Sequence, residues 1–110
     1  MTIEWSDFQK MEMRVGTVVD AEDFPEAKRP AYRLKIDFGA FGTRKSSAQI
    51  TKLYKREYLI GRQVVAVTNF APKQIANFMS ECLVLGVVLE DGNVVLLEPE
   101  RKTANGCRIS

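Results

Sequence analysis

A chain of 110 residues makes one domain of ordinary size and is too short for two. Hydrophobic residues at 45% and charged residues at 27% give the balance of a soluble globular protein. The formal net charge of +2 holds phosphate only weakly unless the cations gather on one face.

The opening MTIEWSDFQK has neither a basic flank nor a long apolar core, so it does not read as a signal peptide. No apolar run reaches the length of a membrane span, and no membrane insertion is expected. Ser6 followed by Gln9 is a capping-box pattern. It predicts a short helix over residues 5–11 that buries Trp5 and Phe8. Residues 13–24 favour strand, with Val15, Thr17, Val18 and Val19. Alternation breaks around Gly16 and Val18-Val19, which predicts a bulge or sharp coil of the kind a small closed barrel needs.

Residues 24–30 carry two prolines and mixed charges and read as a loop. Tyr32, Leu34, Ile36 and Phe38 then alternate with Arg33, Lys35 and Asp37, the pattern of a half-buried strand. Gly39-Ala40-Phe41-Gly42 turns the chain, and residues 43–50 are its partner strand. Residues 51–59 read as one or two helical turns with Leu53, Tyr54 and Tyr58 inside and Lys52, Lys55 and Arg56 outside. Gly61 stops them. Residues 64–68 are a nearly continuous apolar strand. Residues 81–89 are another, Asp91-Gly92 is a hairpin signal, and residues 94–97 return. Together these predict an all-β fold: a five-stranded OB-type barrel over about residues 12–98, with short helices and an extension at each end.

The chemistry points to binding. There is no histidine, which removes the commonest general base and metal ligand. The two cysteines, Cys82 and Cys107, lie far apart, and Cys82 reads as a small buried hydrophobe. Such usage fits a reducing cytoplasm. The acidic residues are scattered, among them Asp20, Glu22, Asp23, Asp37, Glu57, Glu90 and Asp91. No phosphate loop or dinucleotide fingerprint is present. No catalytic residue, metal or cofactor is assigned.

The site candidates flank the strands. Lys45, Ser46 and Ser47, next to Arg44, offer cations and hydroxyls to phosphates or peptide carbonyls; equally, they form an ordinary solvated strand face. Arg33 and Lys35 either join them in a basic stripe or simply keep that face soluble. Asn69 either fixes a turn or bonds a ligand. Phe70 either stacks on a base, fills a peptide pocket or plugs the core. Lys73 is placed to meet a phosphate, Phe78 and Met79 either form an adaptable apolar patch or pack under the loop, and Ser80 adds a hydroxyl as a ligand-binding candidate.

Several motifs in register carry a resemblance. They are Asp7-Phe8-x-Lys10, Arg14-Val15-Gly16-Thr17-Val18, Phe24-Pro25-Glu26-Ala27, Leu34-x-Ile36-Asp37-Phe38-Gly39 and Asn69-Phe70-x-Pro72-Lys73. The chain resembles, over nearly its whole length, the tRNA-binding domain found beside methionyl-tRNA synthetases. Ser46-Ser47-Ala48-Gln49-Ile50-Thr51-Lys52 and Ser80-Glu81-Cys82-Leu83-Val84-Leu85-Gly86 are similar to a free-standing, export-related chaperone branch of that family. The resemblance implies an OB-fold homodimer in which the terminal extensions help form the interface. It implies a non-catalytic partner of unfolded or precursor polypeptides, or alternatively of tRNA, as a free protein or a synthetase accessory module. Relatives that bind tRNA usually carry Gly-Met where Glu81-Cys82 stands here. The added negative charge favours the peptide role.

Overall fold

The computed structural model describes residues 1–110. A short helix, α1 (Trp5–Gln9), precedes strands β1 (Met13–Asp23), β2 (Tyr32–Asp37) and β3 (Thr43–Ala48). Helix α2 (Arg56–Leu59) and strand β4 (Gln63–Val67) follow. The rest is strand: β5 (Lys73–Ile75), β6 (Phe78–Ser80), β7 (Leu83–Val84), β8 (Gly86–Val88) and β9 (Val94–Leu96). No helix is long and apolar enough to cross a membrane.

The antiparallel five-stranded sheet has the order β3-β2-β1-β4-β7. Its central member β1 is long enough to serve two neighbours. Met13 to Thr17 pair with β4, and Thr17 to Asp23 pair with β2. A strand that changes partner along its length curls a sheet toward closure. The curl is sharpened by a bulge between Val18 and Asp20, which turns Val19 outward. Gly16 plays a different part from the predicted one. It sits in regular register opposite Val64, and a Cβ there would lie 2.6 Å from Ile36 Cγ2 and 2.7 Å from the Phe38 ring. Glycine lets β1 cross the core at close range.

Backbone and side-chain bonds nearly close the gap between β7 and β3. Glu81 N–H donates to Lys45 O at 2.7 Å, and Lys45 N–H to Glu81 Oε1 at 2.9 Å. The Ser46 hydroxyl donates to Cys82 O at 3.0 Å. The result is an all-β, five-stranded OB-type barrel. Its core is Val18, Leu34, Ile36, Phe38, Leu59, Val64 and Ala66 with Ile50 and Cys82, all buried. Each large apolar side chain there contributes about 1.5–3 kcal/mol by leaving water.

Three elements depart from the pattern. The α1 cap pairs Glu4 with Asp7, whose Oδ2 accepts the Glu4 N–H at 2.9 Å, instead of Ser6 with Gln9. The helix lies on the surface, with Trp5 85% exposed. In residues 51–59 only Arg56–Leu59 are helical, and that phase buries Leu59 while Leu53 and Tyr58 face solvent. The long strand predicted over residues 81–89 breaks at Leu85, whose N–H donates to Val65 O at 2.9 Å. Beyond it, β8 and β9 form a separate hairpin. Gly86 allows the bend, since a Cβ there would meet Val95 O at 2.8 Å.

The two extensions meet beside β1. Gly106 N–H donates to Val15 O at 2.7 Å, Val15 N–H to Cys107 O at 3.0 Å and Ile109 N–H to Met13 O at 2.8 Å. Arg108 donates to the carbonyls of Gln9 and Met11 at 2.8 and 3.1 Å, which stitches the C-terminal segment to the N-terminal one.

Candidate functional site

On the outer side of β1-β2-β3 the registers line up two cross-strand rows. One is Asp20, Lys35, Lys45; the other is Glu22, Arg33, Ser47. Arg33 reaches Glu22 Oε2 at 3.3 Å. The predicted basic stripe of Arg33, Lys35 and Lys45 therefore exists as a neighbourhood, but two carboxylates share it. The mixed-charge rows weaken its hold on phosphate.

Alternation along β3 separates the other candidates. Ser46 lies opposite Leu34 and Arg44 opposite Ile36, so both belong to the inner register. Ser46 is buried and bonded to Cys82 O, and Arg44 donates to the Thr68 carbonyl. Both hold the barrel together. Ser47 faces out, its N–H donating to Ser80 Oγ at 3.3 Å.

Residues 73–80 read from sequence as part of a connection. They form a hairpin, β5–β6, that leans on β3. Its two-residue turn is Ala76-Asn77, with Ala76 at φ +51°. The usual Asn-Gly or Asp-Gly signal is missing, so sequence reasoning passes over it. Pairing of Lys73 with Ser80 and of Ile75 with Phe78 puts these four on one side, and Gln74 with Met79 on the other. Phe78 and Met79 therefore do not form one patch. The Phe78 ring packs edge-on against Phe24, centroids 5.4 Å apart, with Lys45 Nζ 5.1 Å from its centre. It is the wedge that seats the hairpin.

Asn69 has a structural partner set. Its Oδ1 accepts the Glu12 N–H at 2.9 Å, and its Nδ2 donates to Lys10 O at 2.7 Å. It pins the segment between α1 and β1.

Between the hairpin and β7 lies a cleft of about 480 Å³. Phe70, Ala71, Ile75 and Leu83 give it a mainly apolar wall, with Cys82 at its base. Ser47, Ser80, Lys73 and Glu81 ring it with polar groups. Phe70 is half exposed, as is Leu83. Neither terminal extension contributes to the lining. Of the predicted site residues, Ser47, Phe70, Lys73 and Ser80 meet here. Ala71, Ile75, Glu81, Cys82 and Leu83 are the lining residues missed, because the hairpin that sets one wall of the cleft against β7 has no sequence signal. Cys82 is buried, as its apolar surroundings predict, and burial pushes its thiol up to about 11. A hydrogen bond from Ser46 and the charge of Arg44 oppose this, and Glu81 adds to it. The arrangement offers apolar contact and hydrogen bonds to an extended chain.

A barrel of this topology carrying a side cleft defines an OB-type binding module. The chain belongs to the family described as "Putative tRNA binding domain", which matches residues 13–108. It is 55% identical to the crystal structure of chaperone CsaA from Bacillus anthracis str. Ames, with all of both chains covered and a TM-score of 0.96. It is 50% identical to the CsaA chaperone protein from Picrophilus torridus, covering 99% of this chain and 100% of that one, with a TM-score of 0.92. It is also 36% identical over 104 residues to a methionine–tRNA ligase from Methanococcoides burtonii, covering 94% of this chain and 15% of that protein. The chain thus spans about a seventh of the length of the ligases it matches.

Proposed function

We propose that this protein is a CsaA-like, export-related chaperone of the cytoplasm, a homodimer that holds unfolded or precursor polypeptide segments without catalysis. The cleft carries the reading. Its wall of Phe70, Ala71, Ile75 and Leu83 suits apolar side chains, and Ser47 and Ser80 suit a peptide backbone. Glu81 places a carboxylate at the rim, which suits a polypeptide better than a phosphate chain. A groove that takes only non-native chain retards aggregation by mass action alone. Identity of 55% to a chaperone over the full length supports the same reading.

The family's description favours a second reading, a tRNA-binding protein or accessory module. There the row of Lys35 and Lys45 engages phosphates, and exposed rings stack on unpaired bases.

Salt separates the two. Binding of an unfolded polypeptide and of total tRNA is measured by titration at low and at high salt. Polypeptide affinity should change little. A tRNA complex should weaken by about 0.7–0.9 log unit per log unit of salt for each phosphate neutralised. Phe70→Ala should weaken polypeptide binding about tenfold, the range of a central apolar contact. Binding of tRNA but not of unfolded chains at physiological salt overturns the chaperone reading.

A further inference from the structure

Three clefts adjoin one another from the β5–β6 hairpin to the segment that follows β3. The apolar one ends at Ser47 and Ile75. These two also line a second cleft of about 450 Å³ together with Arg29 and Gln49. Arg29 and Gln49 in turn line a third of about 300 Å³, with Thr51 and Lys52. The three clefts are therefore neighbours, and their character changes from one to the next. Aliphatic and aromatic groups dominate at the Phe70 end. At the far end the cations are Lys28, Arg29 and Lys52.

Those cations are free to meet a ligand. None of the three takes part in an ion pair. The carboxylates nearby are engaged. Asp91 accepts from the backbone and side chain of Asn93 at 3.0 and 3.1 Å, which holds its own turn. Glu26 accepts from the Asn77 amide at 3.4 Å. Three cations against these two carboxylates leave the far end with a small net positive charge, and its cations are the groups without a partner.

We propose that these adjoining clefts read polarity along an extended peptide, taking an apolar segment in the Phe70–Leu83 cleft and acidic side chains of the same peptide at Arg29 and Lys52. The inference rests on the polypeptide-holding reading and specifies its ligand class. Ser47 and Thr51 are four residues apart, which spans at most about 13 Å of extended chain. Roughly four residues of extended ligand cover that distance, and a five-residue spacer gives slack.

Labelled synthetic peptides test this by fluorescence anisotropy. Each carries one apolar five-residue block, a five-residue Gly/Ser spacer and a block of three Glu, three Gln or three Lys, made in both orders. A fourth set joins the Glu block directly to the apolar one. With the spacer, the Glu peptide should bind about threefold to tenfold tighter than the Gln peptide, and the Lys peptide weaker, the range for two or three exposed ion pairs. The gain should shrink in high salt and vanish without the spacer. In the double variant Arg29→Glu, Lys52→Glu, checked as folded by circular dichroism, the Glu-to-Gln ratio should fall below one. Phe70→Ala should lower all affinities and leave that ratio in place. Equal binding of Glu, Gln and Lys peptides overturns the inference and leaves polypeptide holding intact, as does a preference that survives the double variant. So does an oligouridylate whose binding depends on Arg29 and Lys52 when the Glu peptide's does not. Failure of every peptide to bind overturns the functional reading itself.

Discussion

At Cys82 the thiol lies 3.7 Å from Lys45 O and is nearly sealed from solvent. Burial holds it protonated up to about pH 11, against 9.0 for a free thiol. The unfolded chain therefore loses this proton first as pH rises, and the folded state binds more protons between the two values. Stability from this group is full below pH 9 and drains away between pH 9 and about 11, by up to about 3 kcal/mol. Denaturant unfolding of the protein and of Cys82→Ala across that range should give a shallower decline for the variant. Native protein at pH 8 should show one rapidly reacting thiol, the exposed Cys107. That Cys82 is inside was legible from its apolar neighbours. The split between buried Ser46 and outward Ser47 was not. β3 reads TRKSSA, with no apolar alternation to say which parity faces the core, and only pairing with Leu34 fixes it.

Elements with a strong apolar rhythm were legible: β2, β4, the long β1 and the turn at Asp91-Gly92. Elements set by neighbours were not. The β5–β6 hairpin depends on the Phe78 wedge against Phe24 and on an alanine in a left-handed turn. The helix phase in residues 51–59 depends on the empty space that Leu59 fills. The segment before β1 depends on Asn69, whose amide grips it at Glu12 and Lys10. Asn69→Ala should remove both bonds and release the Glu12 N–H. Hydrogen exchange at that amide should accelerate about tenfold to hundredfold, for a local loss of about 1–3 kcal/mol. Affinity for an apolar peptide should hardly move, since Asn69 does not line the cleft. An equal loss of peptide binding returns Asn69 to the binding surface.

For the whole molecule, the stitched extensions leave apolar surface in solvent. Trp5 is 85% and Ile3 66% exposed, on the segment that Arg108 ties to the C-terminal one. A monomer seldom leaves a tryptophan so bare, and a two-fold partner would cover it. In the proposed homodimer, Trp5→Glu should shift sedimentation equilibrium toward the monomer while the circular dichroism stays native; an unchanged dimer mass moves the interface elsewhere, and a monomer mass for the unaltered protein overturns the dimer. The same extensions set the order in which the fold can finish. Arg14 and Gly106, bonded at 2.9 Å, stand 92 residues apart in the chain. At the pace of a ribosome, roughly 5–20 residues per second, the edge of the first strand waits about 5–20 s for its last neighbour to be made. During that wait it is a bare ribbon open to any passing strand.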